Sequence, residues 1–166
     1  METLLKIEGI EFPAFSARGC QQNLSIVSEA DLFQRTINGE LLFLGDEGGA
    51  KYTSTLTCQD KDIPALAHLS RGAVVKVSCI QTLTQPLKAG KATPIRSVVD
   101  GSLACFDIKG RKIPFKVSKG GVVDSGAIHE GYVRFRPILT MRIINFHFKI
   151  DEWGAKVGWT LELEEV

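Results

Sequence analysis

Apolar and polar residues alternate with a period of two along most of this 166-residue chain, and helical periodicity is scarce. Leu5 and Ile7 alternate with Lys6 and Glu8, and Pro13 ends that run. Extended patterns follow over 22–27, 34–37, 40–44 and 52–58. In the last of these Tyr52, Ser54, Leu56 and Cys58 line one face, with Thr53, Thr55 and Thr57 on the other. Asn38-Gly39 tolerates positive φ angles, which predicts a hairpin closed by a two-residue type I′ turn. Residues 45–49 predict a loop. The one good helix candidate is 60–69, where Asp62 can cap and Pro64 fits a first turn. It is at most about two turns long and depends on packing. The strand pattern resumes over 73–81, with Val75, Val77 and Cys79 on one face.

Residues 84–94 hold two prolines, a glycine and two lysines, and predict a connection. A second hairpin is expected over 102–108 and 112–117, around Lys109-Gly110-Arg111. Residues 118–131 contain four glycines and predict a long loop. The chain closes with strands over 132–135, 138–150 and 157–165, the last two joined by a turn at 151–155. Val157, Trp159, Leu161 and Leu163 alternate with Gly158, Thr160, Glu162 and Glu164, the pattern of a half-buried antiparallel strand with one wet face. By the same phase Trp159 belongs to the core. The fold class that follows is mainly β: an antiparallel sandwich or barrel with one short helix. One domain over 1–166 is expected, with 84–131 as an insertion or extended hairpin and loop.

Composition narrows the function classes. The chain is 44% hydrophobic and 23% charged, too apolar for a disordered segment. Twenty basic against 19 acidic residues leave a net charge of +1, which argues against a general coat for polyanions. No apolar run approaches the ~18 residues of a membrane helix. The first residues carry Glu2, Glu8 and Glu11 without a basic stretch, unlike a secretory signal, so a protein made and kept inside a cell is expected. Cys20, Cys58, Cys79 and Cys105 are too widely spaced for a zinc ribbon and are expected to be free and buried.

No phosphate-binding glycine loop, HExxH or GxSxG pattern is present, and no enzyme, metal or cofactor is expected. His147 falls in phase with Leu139, Met141, Ile143 and Asn145, opposite Ile144, Phe146 and Phe148, and suits a surface or rim position. His129, in the glycine-rich loop, suits a solvated pair with Glu130. Charge is nonetheless segregated. Residues 88–119 hold eight basic and two acidic side chains, a balance of +6; residues 151–166 hold five acidic and one basic, a balance of −4. Two solvated faces would give this pattern. So would a basic segment of one copy meeting the acidic end of the next, or an oligonucleotide-binding OB-like β-barrel with basic strands and stacking aromatics. Phe106 and Phe115 lie among the basic residues, but Phe106 is in phase with Ala104 and Ile108, which assigns it to the core.

The two ends of the chain carry a more specific pattern. RTINGELLFLGDEGGAKYTSTLTCQDKDIPALAHLSRGAVVKVSC and YVRFRPILTMRIINFHFKIDEWGAKVGWTLELEEV, including Asp151-Glu152-Trp153-Gly154 and Gly158-Trp159, resemble tail structural proteins of tailed bacteriophages: the distal-tail, tail-tip and minor tail group. The resemblance covers roughly 1–83 and 132–166. It implies a β-sandwich of the tail-tube or distal-tail type and a ring at the tail tip or baseplate, six copies around the genome-ejection channel. A tail-tube subunit is the near alternative. Its partners would be itself and neighbouring tail proteins, with DNA passing without specific binding; its place would be the virion tail, and the host cytoplasm during assembly. Candidate inter-subunit or channel residues are Trp153, Glu162, Glu164, Glu165, Lys109, Arg111, Lys112 and Lys116. Trp153 is either an inter-subunit anchor or a cap over the last hairpin. Glu162, Glu164 and Glu165, if they line the channel, would repel the phosphates of passing DNA.

Overall fold

The computed structural model describes residues 4–13, 16–17, 19–27, 33–43, 50–60, 64–65, 70–126, 130–151 and 157–166. These are all-β, with every strand pairing antiparallel and no helix among them. The helix expected over 60–69 falls mostly outside the described residues, as do the loop at 45–49, His129 and Trp153.

The main sheet runs in the order β1 (Lys6–Ile7), β6 (Val74–Ser78), β15 (Pro137–Ile150), β16 (Val157–Glu165), β5 (Tyr52–Asp60), β2 (Gln21–Ile26), and it curls into a half-barrel. Its inner face is the alternation read from the sequence. Leu56 and Cys58, Val75 and Val77, Leu139, Met141 and Ile143, and Trp159, Leu161 and Leu163 form one buried cluster with Leu5, Ile7, Ile10 and Cys79. Trp159 is only 2% exposed and packs beside Phe12, ring centroids 6.1 Å apart. The outer face carries the threonines of β5 with Thr160, Glu162 and Glu164.

Within β15 the phase breaks. Ile143 pairs with Leu163 but Asn145 pairs with Glu162, so Ile144 is an extra residue in a β-bulge. Beyond it the even positions take the inner side: Phe146 faces Leu161 and packs on the core, while Asn145 and His147 turn outward. His147 is therefore exposed, but it does not share a face with Leu139 and Met141 as strict alternation predicts. One inserted residue is enough, because the side-chain period is two.

The chain leaves the main sheet after β6 and returns at β15, which pairs with β6 directly; between them only the two-residue β9 (Ser97–Val98) touches that sheet, pairing with the start of β15. The intervening segment has its own core of Leu87, Ala92, Cys105, Ile113, Val123, Val133 and Phe135. Four of its strands form a sheet in the order β11 (Lys112–Ile113), β10 (Ala104–Asp107), β14 (Gly131–Phe135), β7 (Leu83–Pro86). Three more form a sheet in the order β12 (Lys116–Val117), β13 (Val123–Asp124), β8 (Lys91–Ala92). The segment 84–94 is thus more than a connection, and 118–131 is more than a loop: Val123 within it is fully buried. Strands this short carry too few alternations to be seen as strands in the sequence.

Turn geometry also departs from expectation. In the hairpin of β3 (Phe33–Arg35) and β4 (Leu41–Phe43), Thr36 N–H donates to the Glu40 carbonyl (2.9 Å) and Gly39 N–H to that of Thr36 (2.9 Å). Gly39 has φ +85° whereas Asn38 is not in the left-handed region. That is a three-residue loop with a type I turn and a glycine bulge, not a type I′ turn. The Thr36 hydroxyl accepts from Glu40 N–H (3.1 Å), which favours the longer loop. The same pattern recurs at 107–111 and 118–122, with Gly110 and Gly121 in the left-handed position. A two-residue turn with both central φ positive does occur, at Ala89 (51°) and Gly90 (77°), between Lys88 and Lys91.

Candidate functional site

The register of the four-stranded sheet decides which side chains face solvent. Cys105 pairs with Ile113 and Val133, all three buried, so the other phase of β10 and β14 points outward. Across one outward row lie Lys112, Phe106, Tyr132 and Pro86, and Ala104, Arg134 and Thr84 occupy the next. Phe106 is consequently a half-buried surface residue and not part of the core. The apolar set Ala104, Phe106 and Ile108 suggested the opposite phase, yet the inner side is taken by Cys105 and Asp107. Asp107 tolerates the inner side by ending its strand: its carboxylate accepts from Lys109 N–H (2.9 Å), Arg111 N–H (2.8 Å) and Arg111 Nε (2.8 Å). Those donors, the Arg111 amide foremost, hold its carboxyl below the usual carboxylate range.

The outward rings form a plate. Phe106 and Tyr132 stack with centroids 5.3 Å apart and planes 16° from parallel. The Arg134 guanidinium lies over both, 5.1 Å from the first centroid and 5.8 Å from the second. Lys112 is exposed beside Phe106, and Lys109 and Arg111 occupy the adjoining turn. Lys116 is exposed on β12, away from this face, opposite Asp124 of β13. Four cations proposed together from the sequence therefore divide: Lys109, Arg111 and Lys112 border the plate, Lys116 does not. Tyr132 and Arg134 were missed because they lie far along the chain, and only strand pairing brings them to Phe106.

The acidic end of the chain divides too. Glu162 and Glu164 face outward on β16, beside Asn145 and Arg142 of β15. Glu165, one residue on, has the opposite phase and is bound within the molecule. Its carboxylate accepts from Arg96 Nε (2.6 Å), Arg96 Nη2 (3.1 Å) and Tyr52 N–H (3.0 Å). Arg96 also donates to the Ala50 carbonyl (3.1 Å) and sits over the Tyr52 ring. This clamp stands where β9 (Ser97–Val98) pairs with β15 beyond the end of β16, so it ties the inserted segment to the main sheet.

An open groove of about 620 Å³ lies between 93–103 and 117–121, with Ile95 and Val117 on its walls. The four cysteines are free, Cys20 being the least buried, and burial pushes the Cys79 thiol up to about 11. Among the described residues no group of three or more His, Cys, Asp or Glu side chains is placed to hold a metal ion, and no helix is long and apolar enough to cross a membrane. A scan against protein-family models gave no match, and searches of the curated proteins and of the solved structures found no similar chain.

Proposed function

We propose that this chain is a structural subunit of a bacteriophage tail, forming a ring at the tail tip of the distal-tail or baseplate type. On this reading the half-barrel and its insert are a variant of the tail-tube and distal-tail β-sandwich, six copies surround the ejection channel, and the protein is not an enzyme. Beside the resemblance at the chain's two ends, one observation carries the proposal: apolar side chains stand open to solvent in places a monomer gains nothing from. On the β3–β4 hairpin, which pairs with no other strand among the described residues, Ile37 is fully exposed and Leu41 is 54% exposed. Toward the far end of β15, Phe148 and Ile150 are 53% and 52% exposed. Contact with a second copy or a neighbouring tail protein would remove these from water.

The segregated charge supports the same reading, with the basic segment of one copy meeting Glu162 and Glu164 of the next. The alternative place for those two glutamates, without Glu165, is the channel wall instead of that contact. Native mass spectrometry and negative-stain images of the purified protein and of tails test the proposal. A closed ring is expected; a strictly monomeric protein that never accompanies tails overturns it.

A further inference from the structure

We propose that the outward face of the four-stranded sheet binds single-stranded nucleic acid, a base stacking on the Phe106–Tyr132 plate while Arg134, Lys112 and Lys109 engage the flanking phosphates. This goes beyond the tail reading and does not depend on it.

Three observations carry it. Two aromatic rings stand together on the outward face: they are offset-stacked within 16° of parallel on neighbouring strands, half-buried beneath the exposed Arg134, and Pro86 extends the same row. Stacking of bases on such aromatic surfaces tolerates any sequence, since every base has a π face. The rim is cationic; Asp107 is turned inward and engaged by the turn, so it does not oppose a phosphate there, and the exposed acid on this side is Glu130, two residues before Tyr132. The wider segment 88–119 carries a balance of +6 in a chain whose net charge is +1. Finally, Arg134 rests on the rings from an exposed position. At 5.1 Å from the Phe106 centroid it leaves no room for a base beneath it, so a bound base takes its place and the guanidinium moves to the adjoining phosphate.

A duplex presents phosphates but keeps its base faces stacked within, and an acidic peptide has the charge without the π surface. A single strand matches both parts of the site.

The test uses the full chain and a short fluorescein-labelled oligo-dT, with anisotropy read across a salt series. Binding at low salt is expected, weakening steeply as salt rises, and tighter than for a duplex of equal length. Tyr132→Ala and Phe106→Ala should each weaken binding by roughly tenfold at unchanged salt slope. Lys112→Ala should lower that slope by about 0.7. Because Phe106 is half-buried, Phe106→Tyr serves as its control and should keep the affinity. Lys112→Glu, wholly on the surface, gives a readout that does not depend on folding and should abolish binding. The inference is overturned by absence of binding at low salt, by ring variants that bind like the parent, or by heparin and duplex binding as tightly as the single strand. It is equally overturned if Lys112→Glu leaves affinity unchanged.

Discussion

The main sheet and the inserted segment bury comparable kinds of side chain but are held together differently. β5, β15 and β16 are nine to fourteen residues long, and each sends a repeated series of apolar side chains into one cluster. Strands of the insert are two to five residues long. They rely on turns and on side chains that bond to the backbone. Gln85 donates to the Thr93 carbonyl (2.8 Å) and accepts from Ile95 N–H (3.2 Å). Ser125 donates to the Gly90 carbonyl (2.9 Å), and Ser102 accepts from Arg136 N–H (3.1 Å). A long strand spreads its stability over many equivalent burials, so local chemistry matters little. A short one is specified by the few groups that close it, where one changed atom is felt.

Trp159→Ala should separate the two regions most sharply. It removes the largest buried side chain of the main cluster and should cost about 3–5 kcal/mol, read by urea unfolding. A smaller loss would show that the half-barrel collapses around the void.

Arg96→Ala tests the link between the regions. It leaves the mostly buried Glu165 carboxylate without its cation and should cost about 2–3 kcal/mol. Combined with Glu165→Gln, the losses should fall short of additive, since both remove the same bond. Full additivity would mean that the clamp is not the connection.

Gly131→Ala addresses the insert alone. A Cβ there would meet the Phe106 carbonyl oxygen across β10–β14 and lie 3.2 Å from Leu87 Cδ1. The expected cost is about 1–3 kcal/mol. Hydrogen exchange should quicken in β10 and β14 while β5 and β16 keep their protection; equal loss in both would show a single cooperative unit.

Ala89→Asn is the mildest and runs the other way. Ala89 holds φ 51° in a type I′ turn that favours Asn-Gly, so the substitution should stabilise the insert by about 0.5–1 kcal/mol. No gain in the melting temperature would show that the strain is not borne at that residue.

Legibility in the sequence follows the same division. The alternations of Tyr52–Asp60 and Val157–Glu165 are repeated four times each, so neither a threonine nor a glutamate obscures the phase. In β10 two choices of inner face competed. The apolar one lost because Asp107, charged yet engaged by three donors, belongs to the turn rather than to the strand's alternation. The Ile144 bulge was invisible because every residue from Arg142 to Phe148 fits a strand in either phase. Gln22 illustrates a further kind of omission: its buried amide donates to Ser54 Oγ (2.9 Å) and accepts from Ile80 N–H (2.7 Å) and Gln81 N–H (3.0 Å). Nothing in its neighbours along the chain marks it as the link between the β2 edge and the end of β6.

The amino-acid order alone determined that this chain is built of antiparallel strands, that Trp159, Leu161 and Leu163 enter one core, and that charge is unevenly spread along it. Those properties arise from neighbours two residues apart or from simple counts. Tertiary structure decided that Glu165 leaves the acidic face, that Lys116 parts from Lys112, and that Phe106 meets Tyr132 and Arg134 at the surface. Each of these depends on which strand lies beside which and in what register, and pairing across tens of residues is set by the packing of the whole sheet rather than by any local run.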